Sequence, residues 1–136
     1  MEPVQWSEKF SVGVRELDQQ HQYLIKLLNR LISAQGTINT HSETVSDTLM
    51  AMTRYAQTHF KTEESLMEAN GYPGLEEQKI QHRDFRKKTV GFSTATTFGI
   101  DQVPEDLLTY LNNWLVHHIL EDDMAYRAFF KDKGVE

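Results

Sequence analysis

The sequence predicts an all-α protein, an up-down-up-down four-helix bundle with an ordered N-terminal arm. Four long stretches place apolar residues at steps of three and four, which is the spacing of one buried helix face. Short links with turn-forming residues separate these stretches, and such links join antiparallel neighbours in bundles. With 136 residues, the chain is expected to form a single domain over residues 1–136 with one core.

The first part of the chain predicts an arm followed by a helix. Residues 1–15 carry Trp6 and Phe10 without helical spacing, so we expect them to pack across the helices. The first helix is predicted at about 17–35, because an apolar stripe runs through it and Gly36 follows as a helix stop.

The second helix is predicted at about 41–69. Thr40 and Glu43 have the spacing of a capping box at its start. Asn70-Gly71 is a favoured left-handed stop at its end.

Two further helices complete the prediction. The third is expected at about 74–95, after a Tyr-Pro-Gly link. A Ser/Thr/Gly-rich connector follows, and the fourth helix is expected at about 104–131 because Pro104 suits a first helical turn.

Bulk properties exclude several classes of partner. The net charge of −6 and the lack of a large basic cluster argue against nucleic acid. No apolar run is long enough for membrane insertion, and the first residues do not open a signal peptide. The absence of cysteine favours a cytoplasmic location and leaves His, carboxylate and amide oxygen as metal ligands.

Polar residues of metal-binding type lie on the apolar faces of all four predicted helices. His59 and Glu63 are four residues apart, so they share one side of the second helix. Burying an imidazole and a carboxylate is unfavourable unless a partner such as a metal cation compensates. In an antiparallel bundle, these positions converge at one end: His21, His59, Glu63, His82 and His118.

Taken in order and spacing, these motifs resemble the hemerythrins, and more closely their bacterial single-domain members. The resemblance runs essentially end to end. It is carried by Asp18-Gln19-Gln20-His21, His59-Phe60-Lys61-Thr62-Glu63-Glu64, Gly71-Tyr72-Pro73, His82, Trp114-Leu115-Val116-His117-His118-Ile119 and Asp123.

The resemblance implies a non-haem di-iron site that binds O₂ reversibly, with an oxo or hydroxo bridge between two iron ions. His21 and His59 would ligate the iron that receives O₂. His82 and His118 would ligate the other iron, and two carboxylates, Glu63 and Asp123, would bridge the pair.

The chain departs from this family at Gln78, where the family has a histidine. An amide oxygen is a weaker ligand than imidazole, so three outcomes stay open: amide ligation, a water in that place, or a second exchangeable position. We favour a water or another small exogenous ligand, with Gln78 facing the site. The change is expected to make oxidation and the binding of small anions easier.

Asp123 lies five residues after His118, whereas Asp122, at four, would suit a regular helix better. We follow the resemblance to Asp123. We therefore expect an overwound or bulged turn in the fourth helix, or an off-centre His118.

Residues around the predicted ligands receive supporting roles. Asp18 is a candidate for orienting His21. Glu64 and Asp122 are interpreted as surface charges. Core residues that would also line the pocket and exclude water are Leu24, Ile25, Phe60, Met67, Trp114 and Ile119.

The leading functional hypothesis is an O₂-binding domain, not an enzyme, that acts as an oxygen or redox sensor. A fused or separate signalling effector would then be its partner. O₂ storage or carriage is the alternative, and weak peroxidase or ferroxidase chemistry is a further one. A metal-free bundle used for protein contacts would carry no iron.

Overall fold

All regular structure in the computed structural model, which describes residues 2–136, is helical. Helix α1 spans Arg15–Ser33, α2 Glu43–Asn70 and α3 Leu75–Thr97. The fourth helix of the bundle has several parts: α4 at Val103–Asn113, a π-helical segment at Trp114–Asp123, a 3₁₀ turn at Met124–Tyr126 and α5 at Arg127–Asp132. The predicted four-helix bundle is confirmed.

The N-terminal arm packs against the bundle through specific contacts. The backbone N–H and C=O of Val4 form a reciprocal pair of hydrogen bonds with the Asn29 side chain of α1, at 2.7 and 2.8 Å. Trp6 stacks on Phe10 with ring centroids 5.7 Å apart, and Phe10 is buried. The arm therefore covers core that the helices alone leave open.

The start of α2 differs from the prediction. The capping box at Thr40 and Glu43 is wrong: the N-cap is Ser42, whose side chain accepts from the backbone N–H of Val45 at 3.5 Å. Thr40 is buried and donates its hydroxyl to the carbonyl of Ile100 at 2.5 Å, tying two connectors together. A tertiary hydrogen bond therefore replaces the local one.

The end of α2 is fixed by a glycine. Gly71 has φ of 71°, a left-handed conformation that L side chains rarely adopt. The backbone N–H of Tyr72 then donates to the carbonyl of Met67 at 2.9 Å. This sharp stop turns the chain directly into α3, so the end of α2 and the start of α3 lie side by side.

Helix α3 runs two residues beyond its predicted end, through Ser/Thr-rich sequence. The hydroxyls of Ser93, Thr96 and Thr97 each donate to the carbonyl four residues earlier. These bonds let residues that favour turns remain helical.

Two separate apolar clusters fill the interior. The larger one includes Leu24, Phe60 and Phe85, and the smaller one includes Met67 and Tyr126. A layer of buried histidine and carboxylate side chains lies between them. No helix within residues 2–136 combines the length and apolar character needed to cross a membrane.

Candidate metal centre

The six side chains predicted as metal ligands lie together in the interior. Each is at most 3% exposed, and they come from α1, α2, α3 and the π-helical segment. They are His21, His59, Glu63, His82, His118 and Asp123. The convergence expected from helix register is therefore present in the structure.

One group of possible metal donors consists of His21, His59, Glu63 and Asp123. The Nε2 atoms of His21 and His59 are 3.0 Å apart. The Nε2 atom of His21 is also 3.1 Å from Oδ2 of Asp123, and Nε2 of His59 is 3.4 Å from Oε1 of Glu63. Two imidazoles and two carboxylates thus face one point.

A second group consists of Glu63, His82 and His118. The Nε2 atom of His82 is 3.0 Å from Oε1 of Glu63. The Nε2 atom of His118 is 3.1 Å from Oδ1 of Asp123. Glu63 belongs to both groups, and the two oxygens of Asp123 face histidines of different groups. Both carboxylates therefore lie between the two possible metal positions.

The donor atoms fit metal ions better than they fit one another. Nε2 of His82 and Oε1 of Glu63 are close, yet neither has a hydrogen-bond partner. Nε2 of His118 and Oδ2 of Asp123 also lack a partner. Burying such atoms unpaired is unfavourable. Cations at the convergence points would satisfy them all, and imidazole with carboxylate suits iron, manganese or zinc.

The π-helical segment explains how Asp123 reaches the site. In π geometry the hydrogen bonds run from residue i to i+5, so residues five apart align on one side. His118 and Asp123 have this separation, and Asp123 is fully buried, whereas Asp122 is only partly buried. Of the two geometries expected for the fourth helix, the structure has the irregular turn.

Three histidines form hydrogen bonds through Nδ1, the outer ring nitrogen that faces away from the site, and these bonds were not predicted from the sequence. Nδ1 of His59 contacts Oε1 of Gln20 at 2.5 Å, and Nδ1 of His82 contacts Oε2 of Glu64 at 2.7 Å. Nδ1 of His118 contacts Oε1 of Gln81. These partners are Gln20, Glu64 and Gln81.

The interpretation of Glu64 as a surface charge is therefore wrong. Gln20, Glu64 and Gln81 are each adjacent in sequence to a candidate ligand, at His21, Glu63 and His82. A neighbour lies about 100° around the helix, where it can reach the next helix of the bundle. That adjacency was the signal available in the sequence.

Asp18 has a different role from the one predicted. Its carboxylate accepts from the Ser11 hydroxyl at 2.6 Å and from the Val12 backbone N–H at 2.8 Å. Nδ1 of His21 has no hydrogen-bond partner. Asp18 therefore holds the arm against α1 because its side chain faces the arm rather than the site.

Aromatic rings cover the histidines. Phe60 stacks on His82 and Trp114 on His118, with ring centroids 3.9 Å apart in both pairs. Tyr55, which sequence reasoning did not identify, stacks on His59 at 4.7 Å. The other predicted lining residues are also buried: Leu24, Ile25, Met67 and Ile119.

Tyr126 is a further residue of the site that the sequence did not predict. Its hydroxyl donates to Oε2 of Glu63 at 2.5 Å. Burial and the nearby carboxylates of Asp123 and Glu63 raise the pKa of Tyr126 well above its ordinary value, so the phenol keeps its proton. It can therefore hold Glu63 in place as a permanent donor.

The carboxylates remain ionised despite their burial. Burial by itself raises the pKa of Glu63, but the neighbouring His59 and His82 hold that pKa well below its ordinary value. Burial and Glu63 likewise raise the pKa of Asp123, and His118 and His21 outweigh them, so it is lowered. The site therefore offers negative charge to a cation.

Comparison with known proteins agrees with this geometry. Residues 12–129 match the model of the hemerythrin HHE cation binding domain. A bacteriohemerythrin of Stenotrophomonas maltophilia is 34% identical over 121 residues, which cover 89% of this chain and 77% of that protein. Myohemerythrin-1 of Phascolopsis gouldii is 32% identical over 93% of this chain and 94% of its own.

A solved structure shows the same likeness in three dimensions. The crystal structure of a hemerythrin mutant superposes with a TM-score of 0.81 at 26% identity, covering 94% of this chain and 97% of that one. Sequence, fold and the buried set of histidines and carboxylates lead to one conclusion: the chain belongs to the hemerythrin family.

Proposed function

We propose that this domain binds O₂ reversibly at a pair of iron ions and acts as a sensor of oxygen or redox state. The observation that carries the proposal is the presence of two adjacent donor groups that share Glu63 inside a closed bundle. Membership of the hemerythrin family supports iron over the other metals that such donors accept.

In this proposal each histidine pair holds one ion. His21 and His59 would hold the first ion, His82 and His118 would hold the second, and the carboxylates of Glu63 and Asp123 would serve both. An iron pair held there would supply the electrons that O₂ takes up on binding.

The remaining residues position the ligands and exclude water. Gln20, Glu64 and Gln81 fix the ring orientation of three histidines through Nδ1, which leaves each Nε2 free to face a metal. The stacked rings of Phe60 and Trp114 keep bulk water and protons away from the centre. Slow proton access favours release of O₂ over irreversible oxidation.

The sensor function is proposed because the fourth helix has an unusual conformation. The π-helical segment carries both His118 and Asp123, and the chain continues from it into α5. A ligand shifts a conformational equilibrium only if the two states bind it with different affinity. A segment held by metal ligands at its middle, through His118, and at its end, through Asp123, can differ in this way, and an effector protein would respond to it.

The test is to measure iron per chain and to record optical spectra of reduced, oxygenated and oxidised protein. We expect about two iron ions per chain, and a spectrum of the oxygenated form that reverts when O₂ is removed. A stable oxygenated form would favour storage or carriage, and fast autoxidation would favour sensing. Sustained turnover of peroxide or ferrous ion would instead indicate peroxidase or ferroxidase activity.

A matched pair of substitutions assigns the metal to this site. His118→Ala is expected to lower the iron content, because it removes a buried ligand. His117→Ala is the control, since His117 is its sequence neighbour but its side chain is 68% exposed. Equal loss in both variants, or no iron in the unmodified protein, would contradict the proposal.

A further inference from the structure

Two buried tyrosines flank the candidate metal centre, and they differ in whether the hydroxyl has an acceptor. The hydroxyl of Tyr126 donates to Oε2 of Glu63 at 2.5 Å. The hydroxyl of Tyr55 is also buried, but it has no hydrogen-bond partner among residues 2–136. Burying a donor in this state is unfavourable unless a ligand supplies the acceptor.

The position of the Tyr55 ring directs its hydroxyl towards the first donor group, which contains His21 and His59. Tyr55 and His59 leave the same face of α2 one turn apart, and Glu63 follows one turn later. The rings of Tyr55 and His59 stack, with centroids 4.7 Å apart and planes 16° from parallel. Because a phenol is longer than an imidazole, the Tyr55 hydroxyl extends alongside the ring edge that carries Nε2 of His59.

The charges of the centre act on this hydroxyl. Burial raises the pKa of Tyr55 well above its ordinary value, and the carboxylates of Glu63 and Asp123 raise that pKa further. The phenol therefore keeps its proton as a donor and lies within reach of the charges of the centre. Tyr110 differs, because burial and Asp84, which is outside the centre, raise the pKa of its phenol.

A second buried donor lies next to the Tyr55 hydroxyl. The indole ring of Trp114 stacks on His118 with centroids 3.9 Å apart, and its Nε1 has no hydrogen-bond partner within the described part of the chain. This N–H is close enough to the phenol oxygen to oppose the rise in the pKa of Tyr55, although the two groups lack hydrogen-bond geometry. Two donors, stacked on histidines of different groups, therefore meet on the side of the larger apolar cluster.

Gln78 does not compete for the same acceptor. It is buried one turn before His82 on α3. Its Nε2 donates to Oδ1 of Asp123 at 3.1 Å and to the backbone carbonyl of Asp122 at 3.4 Å. The amide protons of Gln78 are therefore used within the protein, whereas the hydroxyl proton of Tyr55 is available to a ligand.

We propose that Tyr55 donates a hydrogen bond to a negatively charged ligand bound at the metal position of His21 and His59, and that the N–H of Trp114 orients the Tyr55 hydroxyl. O₂ acquires negative charge as it takes up electrons, and a small anion such as azide carries it from the start. Either ligand offers the acceptor atom that the phenol lacks, and a hydrogen bond to a charged acceptor is strong. The inference rests on the proposed metal pair.

The experiment compares Tyr55→Phe with the wild type in the oxidised, iron-loaded protein, with azide as the ligand. Optical titration is expected to show azide affinity lowered by roughly 10-fold, the usual effect of losing one hydrogen bond to a charged group. After exchange into D₂O, the infrared stretching band of bound azide is expected to shift in the wild type but not in Tyr55→Phe. Tyr110→Phe is the matched control and is expected to behave like the wild type, because its phenol lies near Asp84.

The stability of the metal-free protein separates a ligand role from a structural one. Removing a hydroxyl that has no partner leaves no new group unsatisfied. The free energy of unfolding of Tyr55→Phe, measured with denaturant, is therefore expected to equal or exceed that of the wild type. A clear loss of stability would show that the hydroxyl has an acceptor within the protein, and the inference would be wrong.

Failure of this inference and failure of the proposed function are distinguishable. A wild-type protein that takes up no iron would contradict the metal pair, and this inference with it. If the wild type binds iron and azide, and Tyr55→Phe keeps either the azide affinity or the D₂O shift of the wild type, the role of Tyr55 alone is refuted.

Discussion

At the residue scale, the three outer partners of the histidines are not equivalent. His59 and His118 contact the neutral amides of Gln20 and Gln81, whereas His82 contacts the carboxylate of Glu64. A hydrogen bond to a carboxylate makes an imidazole a stronger metal donor than a bond to an amide does. The stronger donor therefore belongs to the group with fewer ligands.

Glu64→Gln is expected to weaken metal binding by about 10-fold to 100-fold, because His82 loses its charged partner while keeping a similar shape beside it. Competition with a chelator measures the affinity. Glu68→Gln, at an exposed position one turn later on α2, is the control. Equal affinities in the two variants would show that Glu64 does not support His82.

Gln78→His is expected to slow autoxidation and to tighten metal binding, because an imidazole is a better ligand than an amide or a water. The loss of the oxygenated spectrum over time gives the autoxidation rate. Gln57→His, an exposed position on α2, controls for the added histidine. Unchanged autoxidation and affinity would place position 78 outside the centre.

At the element scale, the fourth helix combines regular and irregular conformations. Its first part, α4, is an ordinary helix that opens with Pro104 in its first turn. From Trp114 the π geometry takes over and brings His118 and Asp123 to the same side. A π segment is rare and marks functional positions, because regular α geometry would be favoured without a tertiary reason.

Amide hydrogen exchange is expected to be faster at residues 114–126 than at residues 103–113 in the metal-free protein, and metal is expected to slow it mainly at 114–126. The reason is that metal bound by His118 and Asp123 would link the π segment to the other helices. The α4 amides are the internal control. Equal protection of both segments with and without metal would contradict this role.

At the scale of the whole molecule, a polar layer interrupts the apolar core between two clusters. The layer is built from carboxylates and imidazoles whose pKa values depend on one another. The pKa of His59 is lowered, chiefly by burial, and that of His118 is raised because Asp123 outweighs the effect of burial. Without metal, the stability of the bundle must therefore depend on pH.

The metal-free protein is expected to lose stability as the pH falls below about 4.5, the ordinary value for glutamate. Folding lowers the pKa of Glu63 and Asp123, so the unfolded chain takes up protons first and is favoured by acid. The lowered pKa of His59 acts in the same direction, because the unfolded chain takes up a proton at this histidine first as the pH falls below 6.5. The raised pKa of His118 acts in the opposite direction, and its contribution to stability is lost as the pH rises through that pKa. Denaturant unfolding at several pH values measures the effect.

The control for this prediction is a substitution outside the site. Asp47→Asn removes an exposed partner of Arg30 and is expected to leave the pH dependence unchanged, because solvent screens that pair. Glu63→Gln is expected to reduce the pH dependence of the free energy of unfolding. Identical pH profiles for Glu63→Gln and the wild type would refute the role of Glu63 in that dependence.

The sequence by itself determined the bundle and the level at which its polar residues meet. Helical periodicity places a side chain on a face, and alternating chain direction sets its height. The sequence alone therefore predicts that five residues meet: His21, His59, Glu63, His82 and His118. The face and the height of a side chain both follow from its position in the sequence, because an α-helix has a fixed rise and turn per residue.

Only the tertiary structure decided the features that depend on a neighbouring helix. Asp18 and Glu64 lie near candidate ligands in the sequence, yet one holds the arm and the other holds His82. Asp123 reaches the site because the π segment departs from regular geometry, and the direction of the Gln78 amide depends on acceptors 44 and 45 residues away. These features depend on contacts between helices, and the periodicity of a single helix does not predict such contacts.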